Sequence, residues 1–179
     1  MAASRWNSTL YTSELYVEAC GAIVFDTSTS SKKVCLLYHA GGDIWLLPKG
    51  RRNCGETRQA TAVREVREES GYGIKLRPLT LATRAPSETE VADIVDKARV
   101  YDDVTEPFML DVRDLGKEMG VKLVWWFIAD VDRTVDVGEG EAQFKATFVK
   151  TDCAVERLTF QKDREVMKRA IEVMESQKN

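Results

Sequence analysis

The sequence predicts an α/β fold in which a mixed β-sheet lies between helices. Short apolar runs rich in β-branched and aromatic residues, each bounded by turn-forming residues, are typical of strands. Two longer segments, one beginning after Thr57 and one at Asp163, instead repeat their apolar residues at helical spacing. Because the chain alternates strands, a helix, more strands and a final helix, we expect helical layers packed on a sheet.

The strand predictions follow the apolar runs between glycine, proline and polar turns. In the segment KLVWWFIAD the adjacent Trp125 and Trp126 point to opposite faces, so at most one lies in the core interior. Residues 84–120 form a long acidic segment, which is usually functional or mobile at this length, and we expect a short helix at 93–99. The remaining expected elements are strands at 16–25, 33–39, 44–47, 73–78, 79–83, 108–112, 122–130 and 143–149, and helices at 152–158 and 163–175.

The composition indicates one globular domain. The chain has 179 residues, of which 44% are hydrophobic and 31% charged, enough to bury an ordinary core. We expect residues 1–14, which are polar and rich in Ser and Thr, to form a flexible tail, and residues 15–179 to form the domain. The net charge of −3 provides no overall basic field for nucleic acid, so any anion site must be local.

Cysteine usage and the absence of long apolar runs limit the cellular compartments in which the protein is expected. The four cysteines form no CxxC pair and the chain has one histidine, His39, which argues against a zinc site. Free thiols favour a reducing compartment. No apolar run suits a membrane span or a signal peptide, so we expect a cytoplasmic protein without a membrane partner. A secreted or host-delivered protein whose signal peptide had been removed would look the same, and the oligomeric state stays open.

The segment GRRNCGETRQATAVREVREESGY carries the chemistry. Its second half predicts a helix, with Thr57 as the N-cap and Gly71 at the C-terminal end. Helical spacing places Glu65, Glu68 and Glu69 within an arc of roughly 100°. Three carboxylates this close repel one another unless a positive charge lies among them, and Mg²⁺ is a hard cation that prefers oxygen ligands.

Two neighbours of this acidic arc matter for its interpretation. Arg64 lies four residues before Glu68 and can pair with it, and Glu56 in the preceding loop can fold back toward the same cation. The alternative is a solvated charged face held by Arg–Glu pairs, which for a helix of this kind without further pattern would be the better interpretation.

The further pattern is present. The spacing GX5EX7REUXEEXGU, in which U is a bulky apolar residue, is met in full from Gly50 to Tyr72. The chain therefore resembles the Nudix hydrolase superfamily, in its box motif and more weakly over residues 16–175, least across 84–120. The resemblance implies the Nudix α/β/α sandwich and metal-dependent hydrolysis of phosphoanhydride bonds.

The resemblance also implies the site residues. Divalent metal, Mg²⁺ or Mn²⁺, would be held by the Gly50 carbonyl and by Glu65, Glu68 and Glu69, and Arg64 would orient these carboxylates. Glu56 would act through Arg67 or a water. The expected catalytic residues are Glu65, Glu68 and Arg64 of the box and, as the base that activates water, Glu141.

The base that activates water varies across this superfamily and can come from a loop outside the box. The acidic loop 137–143 is the obvious source, and Glu141 is preferred there over Glu139. The alternative is an ordinary acidic hairpin tip.

The substrate must be inferred from the charges around the box. Lys49, Arg51 and Arg52 surround Gly50, and this density of cations indicates a substrate with more phosphates than one diphosphate link. The alternative is scattered solubilising charge. The cations expected to extend this rim are Lys32, Lys33, Arg58 and Arg84.

The sequence WLLPKGR is similar to the Nudix group that cleaves diphosphoinositol polyphosphates and diadenosine polyphosphates. A compact basic rim suits inositol pyrophosphates best, and they rank first. Diadenosine polyphosphates rank second and need aromatic walls, for which the candidates are Tyr38, Tyr101, Trp125 and Trp126. Capped RNA ranks third, because the chain is acidic overall. A binding module that has lost turnover is a further alternative, although no glutamate of the box is missing.

Overall fold

The structure, a computed structural model, describes residues 5–28, 31–87, 89 and 95–177. In this part of the chain, eight strands form one mixed sheet and two more form a small separate sheet, so the predicted α/β fold is confirmed. The strands are β1 (Tyr16–Asp26), β2 (Lys33–His39), β3 (Ile44–Leu46), β4 (Lys49–Arg51), β5 (Ile74–Leu76), β6 (Leu79–Thr83), β7 (Arg99–Val104), β8 (Met109–Gly116), β9 (Gly120–Val131) and β10 (Phe144–Lys150).

The centre of the main sheet is the pair β1 and β9, which run parallel over ten residues from Tyr16 opposite Val121 to Phe25 opposite Asp130. The main path through the sheet is β10-β2-β1-β9-β5, and the other contacts within it are antiparallel. Three short additions complete the sheet, because β3 pairs with β2, β4 with β1 and β8 with β9. As expected, β1 and β2 are joined as a hairpin, which pairs at Phe25 and Val34.

Alternate residues of β1 face two different cores, as the period of a strand requires. Cys20 and Val24 pack against the first helix, α1 (Arg58–Ser70), which covers one face. Ala19 and Ile23 face the opposite core, which is covered by α2 (Thr151–Arg157) and α3 (Gln161–Ser176).

The two adjacent tryptophans follow the same alternation. Trp126 is fully buried in the core beneath α2 and α3. Trp125 packs only partly buried against the core beneath α1, so one of the two lies in the core interior, as predicted.

The helix α1 begins and ends where its sequence predicts. The Thr57 side chain accepts a hydrogen bond from the Ala60 N–H at 3.1 Å, which satisfies one of the free donors of the first turn. Gly71 ends the helix in the left-handed conformation with φ of 78°, and its N–H bonds to the Arg67 carbonyl. Val66 and Ala62 face the core with no exposed surface.

The long acidic segment differs most from its prediction. The helix expected at 93–99 is wrong for its described part, because residues 95–98 are not helical and Arg99 begins β7; residues 93 and 94 lie outside the described residues. The strand β7 pairs with β6 in the small sheet, whose Leu79 and Leu81 close the core beneath α3. The pairing partner is thus distant in sequence, and the local pattern does not reveal it.

Of the expected tail, residues 1–4 lie outside the described residues, and residues 5–14 are exposed. A short 3-10 turn, Ser13–Leu15, leads from them into β1. None of the helices in the described ranges has the length and apolar character that crossing a membrane would require.

Candidate active site

The site is built where the acidic face of α1 meets the short strand β4. A Cβ at position 50 would collide with the Glu65 carboxylate, so only glycine allows this close approach. Glu65 is 8% exposed and faces β4 across this gap. The Glu69 carboxylate also reaches β4 and accepts a hydrogen bond from the Lys49 N–H at 2.7 Å. The first glycine of the motif therefore brings a strand backbone against two carboxylates of the helix.

Arg64 ties three carboxylates together. Its guanidinium donates to Glu56 at 2.9 Å, to Glu65 at 2.7 Å and to Glu68 at 2.8 Å. It also donates to the Arg51 carbonyl at 2.9 Å, which joins the helix to β4. The hydrogen bonds from Arg64 lower the pKa of Glu56 to about 2. The predicted pairing of Arg64 with Glu68 is present, and the orienting role assigned to Arg64 is compatible with this geometry.

Of the two routes expected for Glu56, through Arg67 or through a water, the one through Arg67 is wrong. The Glu56 carboxylate accepts hydrogen bonds from the Asn53 N–H of its own loop at 3.0 Å and, on α1, from Arg64 and from the Thr61 hydroxyl at 2.9 Å. Arg67 lies instead beside Gly73 and Gly138, near the other end of the helix. The reason is position along the helix, because Arg67 lies about 4.5 Å further along the axis than Arg64, away from the loop that carries Glu56.

Glu69 has a raised pKa, as expected for a carboxylate buried among other carboxylates. Burial raises the pKa of Glu69 to about 7, against the effect of the Lys49 N–H, and the charges of Glu65 and Glu141 act in the same direction as burial. Glu141 thus lies in the electrostatic neighbourhood of the box carboxylates although it is 72 positions after Glu69 in the chain. Its own N–H donates to the Glu68 carbonyl at 2.9 Å, and its carboxylate is exposed.

The residues fit a hard divalent cation by their chemistry. The donors are oxygens only, the Gly50 carbonyl and the carboxylates of Glu65, Glu68 and Glu69, which is the set that Mg²⁺ and Mn²⁺ prefer. Within the described residues, no three acidic, histidine or cysteine side chains converge on a ready-made cage. The contacts of Arg64 account for this, because it draws Glu65 and Glu68 to itself. The mutual repulsion around Glu69 is what a cation would relieve.

The opposite side of β4 carries positive charge. Lys49 and Arg51 alternate with Gly50, so they face away from α1. On this face they approach two cations further across the sheet, Arg113 on β8 and Lys122 on β9, which lie directly opposite each other. Burial lowers the pKa of Lys122, and the charges of Lys49, Arg113 and Arg51 lower it further. We call Lys49, Arg51, Arg113 and Lys122 the basic cluster.

Sequence reasoning missed Arg113 and Lys122. Both lie in strands far along the chain from the box, and only the pairing of β8, β9 and β1 brings them beside β4. The alternation of side chains along each strand was a usable signal, because it places Lys122 on the same face of its strand as Val124 and Arg113 on the same face as Asp111.

A groove of about 320 Å³ extends from the basic cluster along α3. Its outer wall is Phe160, which is 49% exposed, and its floor includes Asp163, which is 4% exposed. Burial raises the pKa of Asp163, opposed by the charges of Arg113 and Lys49. The nearest Arg113 nitrogen is 3.9 Å from the Asp163 carboxylate. The residues that line the groove are Leu46, Lys49, Arg113, Phe160, Lys162 and Asp163.

The aromatic walls expected from sequence do not line this groove. Trp126 is fully buried, and Trp125 lies under the Arg58 guanidinium at 4.0 Å. Tyr38 stacks on Trp45 with ring centroids 5.0 Å apart, and Tyr101 lines a different cavity beside β6. The aromatic side chain at the groove is Phe160, which the sequence did not single out.

Several members of the predicted cationic rim lie elsewhere or are engaged. Lys33 pairs with Asp26 in the β1 register, whereas Gly50 pairs with Cys20, so roughly 20 Å of strand separates them. Arg84 follows β6 and forms an ion pair with Asp96 at 2.5 Å. The expectation that Lys33 and Arg84 bind substrate at the box is therefore not supported by their positions.

Arg52 and Arg58, which were also expected in the cationic rim, form ion pairs within the protein. Both donate to the Glu18 carboxylate, at 2.9 Å from Arg52 and 2.6 Å from Arg58. Arg52 also donates to the Glu56 carbonyl at 2.9 Å, and Trp125 adds a third side-chain donor to Glu18. This cluster ties the loop before α1 to β1, so it holds the box in place from the side of the loop.

Comparisons with known proteins agree with this architecture. The sequence matches the family described as the NUDIX domain over residues 15–169. No curated protein matches the chain. Among similar solved structures, the C. elegans Ap4A hydrolase is 15% identical with a TM-score of 0.58, covering 89% of this chain and 98% of that one.

Two further structures are similar to the same extent. A NUDIX family hydrolase from Clostridium perfringens is 14% identical with a TM-score of 0.56, covering 92% of this chain and 99% of that one. The E. coli ORF135 protein is 16% identical with a TM-score of 0.56, covering 93% of this chain and 96% of that one. At these identities the likeness establishes a shared fold.

Proposed function

The chain belongs to the NUDIX domain family of hydrolases acting on phosphoanhydride bonds, and from this we propose that its substrate is a nucleotide-capped polyphosphate of the diadenosine polyphosphate kind. The observation that carries the proposal is the groove between β4 and α3. Lys49 and Arg113 line it beside β4, and the exposed ring of Phe160 lines it beside α3, next to Lys162 and the buried Asp163 carboxylate.

The basic end suits a chain of phosphates. Arg113 and Lys122 face each other across two strands, and the low pKa of Lys122 reflects burial among like charges. Anionic oxygens in this position would relieve that repulsion through charge-assisted hydrogen bonds. Because Lys49 also contacts Glu69 through its backbone, the basic cluster adjoins the carboxylates that would hold metal.

The other end suits a nucleobase better than a phosphorylated ring. The exposed face of Phe160 offers a stacking surface, and Asp163 accepts hydrogen bonds while it is ionised. An adenine presents a flat face and N–H donors to such a pair. An inositol ring covered with phosphates would instead bring several negative charges to an end of the groove where Lys162 is the one cation among the lining residues and lies beside the Asp163 carboxylate. The C. elegans structure with a similar fold is that of an Ap4A hydrolase, which agrees with this preference.

Inositol pyrophosphates, which rank first by sequence alone, are the second candidate. Their support is the basic cluster of Lys49, Arg51, Arg113 and Lys122. Fewer cations surround the box than the sequence predicts for such a substrate, because Lys33 and Arg84 lie elsewhere. Capped RNA remains third, because the net charge of −3 gives the chain no overall basic field for RNA.

In the proposed reaction, residues of the box and residues around it have different roles. Mg²⁺ or Mn²⁺, held by Gly50, Glu65, Glu68 and Glu69, would supply charge neutralisation at the phosphates and a more acidic water. Arg64 holds the Glu65 and Glu68 carboxylates in place through its ion pairs. Glu141 accepts the proton of the attacking water from its exposed position beside this cluster. Lys49 and Lys122 bind the non-bridging oxygens of the phosphate chain.

A side-by-side assay tests the substrate proposal. With Mg²⁺ present, we expect kcat/KM for diadenosine tetraphosphate to exceed that for an inositol pyrophosphate, ADP-ribose and capped RNA by about 10-fold or more. The Phe160→Ala variant should raise KM for the dinucleotide by roughly 10-fold and leave the inositol substrate within about 2-fold. A higher kcat/KM for the inositol pyrophosphate, unaffected by Phe160→Ala, would overturn the proposal in favour of the second candidate.

The same assay separates an enzyme from a binding module. Binding of these compounds without turnover of any of them, in Mg²⁺ and in Mn²⁺, would contradict the hydrolase assignment. The Glu68→Gln variant serves as the inactive reference in each reaction.

A further inference from the structure

Residues 137–141, here called the glycine loop, lie directly against the C-terminal end of α1. The Gly138 N–H donates to the Gly71 carbonyl at 2.8 Å, and the Glu141 N–H donates to the Glu68 carbonyl at 2.9 Å. The last carbonyls of a helix have no partner within the helix, so the loop satisfies acceptors that would otherwise need water. The glycine loop is therefore fastened to the same helical turn that carries Glu68 and Glu69.

The contact is made by backbone against backbone and depends on missing side chains. A Cβ on Gly71 would collide with the Gly138 carbonyl. A Cβ on Gly140 would lie 2.8 Å from the Glu69 carbonyl oxygen and 3.0 Å from the Ser70 carbonyl carbon, and backbone atoms of a capped helix end cannot easily give way. Glycine at these two positions is thus required by space.

Gly138 differs from its neighbour in the loop. A Cβ there would meet nothing closer than the Arg67 guanidinium at 3.7 Å and the Gly71 carbonyl at 3.8 Å, which are ordinary contacts. Both Gly138 and Gly140 lend the unfolded chain the same freedom, but only Gly140 is needed for the close approach. The loop therefore contains its own matched control.

Glu141 directly follows Gly140, so the place of its side chain depends on this approach. The hydrogen bond from its N–H to the Glu68 carbonyl can form only while the loop lies flat on the helix end. Its charge acts on Glu69 across this contact. A loop lifted by even one methyl group would move the Glu141 carboxylate away from the box.

We propose that Gly140 is a positioning residue, which holds Glu141 at the acidic site by letting the glycine loop pack on the backbone of Glu69, Ser70 and Gly71. The proposal rests on the proposed function, in which Glu141 accepts the proton of the attacking water. It goes beyond the box motif, because it makes the helix-ending Gly71 and a loop 69 positions later one functional unit.

The test compares Gly140→Ala, Gly138→Ala, Glu141→Gln and the double variant Gly140→Ala/Glu141→Gln in the full chain. We expect Gly140→Ala to lower kcat by about 10-fold or more with KM within about 2-fold, while Gly138→Ala stays near wild type. The double variant should be no slower than Glu141→Gln alone, because the two changes remove the same interaction.

A readout independent of turnover is Mn²⁺ binding by calorimetry. Removing the Glu141 charge, or moving it away, should weaken binding by roughly 3- to 10-fold, alike in Glu141→Gln and Gly140→Ala but not in Gly138→Ala. This measurement decides the inference even if no phosphoanhydride is hydrolysed, an outcome that would instead refute the proposed function.

Thermal unfolding checks that each variant folds. If Gly140→Ala does not fold, insertion of one glycine between Gly140 and Glu141 shifts the carboxylate without adding a Cβ, and it should reproduce the loss seen in Glu141→Gln. Wild-type rates and Mn²⁺ affinity in folded Gly140→Ala would overturn the inference. Losses that multiply in the double variant would do so as well, because Gly140 would then act independently of Glu141.

Discussion

Arg113 and Lys122 stand directly opposite each other on β8 and β9. Like charges in this position destabilise a sheet. Arg113 is partly compensated by Asp111, whose carboxylate lies 2.7 Å from its Nε. Lys122 is half-buried, and its pKa is lowered by burial and by three neighbouring cations. A pair that costs stability and adjoins a metal-binding motif is best explained by the anion that it binds.

Replacing Lys122 by Met should therefore raise the stability of the protein and weaken its binding of substrate. Because its folded pKa is lowered, the charged form of Lys122 is disfavoured in the folded state at neutral pH, and its removal should raise the free energy of unfolding by about 0.5–1 kcal/mol. KM for the polyphosphate should rise by roughly 10-fold. Urea unfolding and steady-state kinetics measure the two effects, and Lys145→Met on the exposed side of β10 is the matched control. A variant that is less stable than wild type would contradict this account.

Arg113→Ala and Lys33→Ala test whether substrate binding depends on the cation that the structure places near the box or on the one that the sequence predicts there. Loss of a charge-assisted hydrogen bond to phosphate costs about 1.5–3 kcal/mol, so Arg113→Ala should raise KM by roughly 10- to 100-fold. Lys33 pairs with Asp26, six residues along β1 from the Cys20 that pairs with Gly50, and its replacement should change KM by less than about 2-fold. Kinetics on one substrate preparation compare both variants, and equal effects at the two positions would show that net charge alone matters.

Glu68→Gln should remove turnover and leave the fold intact. Half of the Glu68 side chain is exposed, and its ion pair is with Arg64, so we expect the free energy of unfolding to change by less than about 1 kcal/mol. Turnover should fall by roughly 10³-fold, because an amide is a poor ligand for a divalent cation. The control is Glu172→Gln on the exposed face of α3. Near-normal turnover in saturating Mg²⁺ would exclude Glu68 from metal binding.

Glu18→Gln should loosen the loop before the box helix in a pH-dependent way. Burial raises the pKa of Glu18, but the hydrogen bonds from Arg58, Trp125 and Arg52 outweigh it, and the net direction is downward. A lowered folded pKa gives stability that is complete above the unfolded value of about 4.3 and is lost as pH falls through the folded pKa. Wild type should thus exceed the variant by about 1–3 kcal/mol at pH 7.

Urea unfolding at pH 7 and at decreasing pH below 4 measures this difference, which should shrink as the wild-type carboxylate becomes protonated. Glu156→Gln, at an exposed position of α2, controls for the general effect of removing one negative charge. A difference between Glu18→Gln and wild type that is the same at every pH would mean that packing, rather than the ionised carboxylate, holds the loop.

Much of the fold is readable from local pattern. The bounds of β2 and β6 and the two caps of α1 follow from residue type and spacing alone. The strand β7 does not, because its partner β6 lies across the acidic segment, and a helix was expected near its beginning. The short strand β4 was also not predicted, since its three residues are held by β1 rather than by any propensity of Lys, Gly and Arg.

The acidic half of the site follows from covalent spacing. Residues three and four apart on a helix share a face, so the clustering of Glu65, Glu68 and Glu69 and the pairing of Arg64 with Glu68 could be derived before any coordinate was known. The cationic half follows from the register of strands far apart in the chain, which packing of the two cores sets. That register brings Arg113 and Lys122 to the box and carries Lys33 away from it, and no local pattern encodes such a choice.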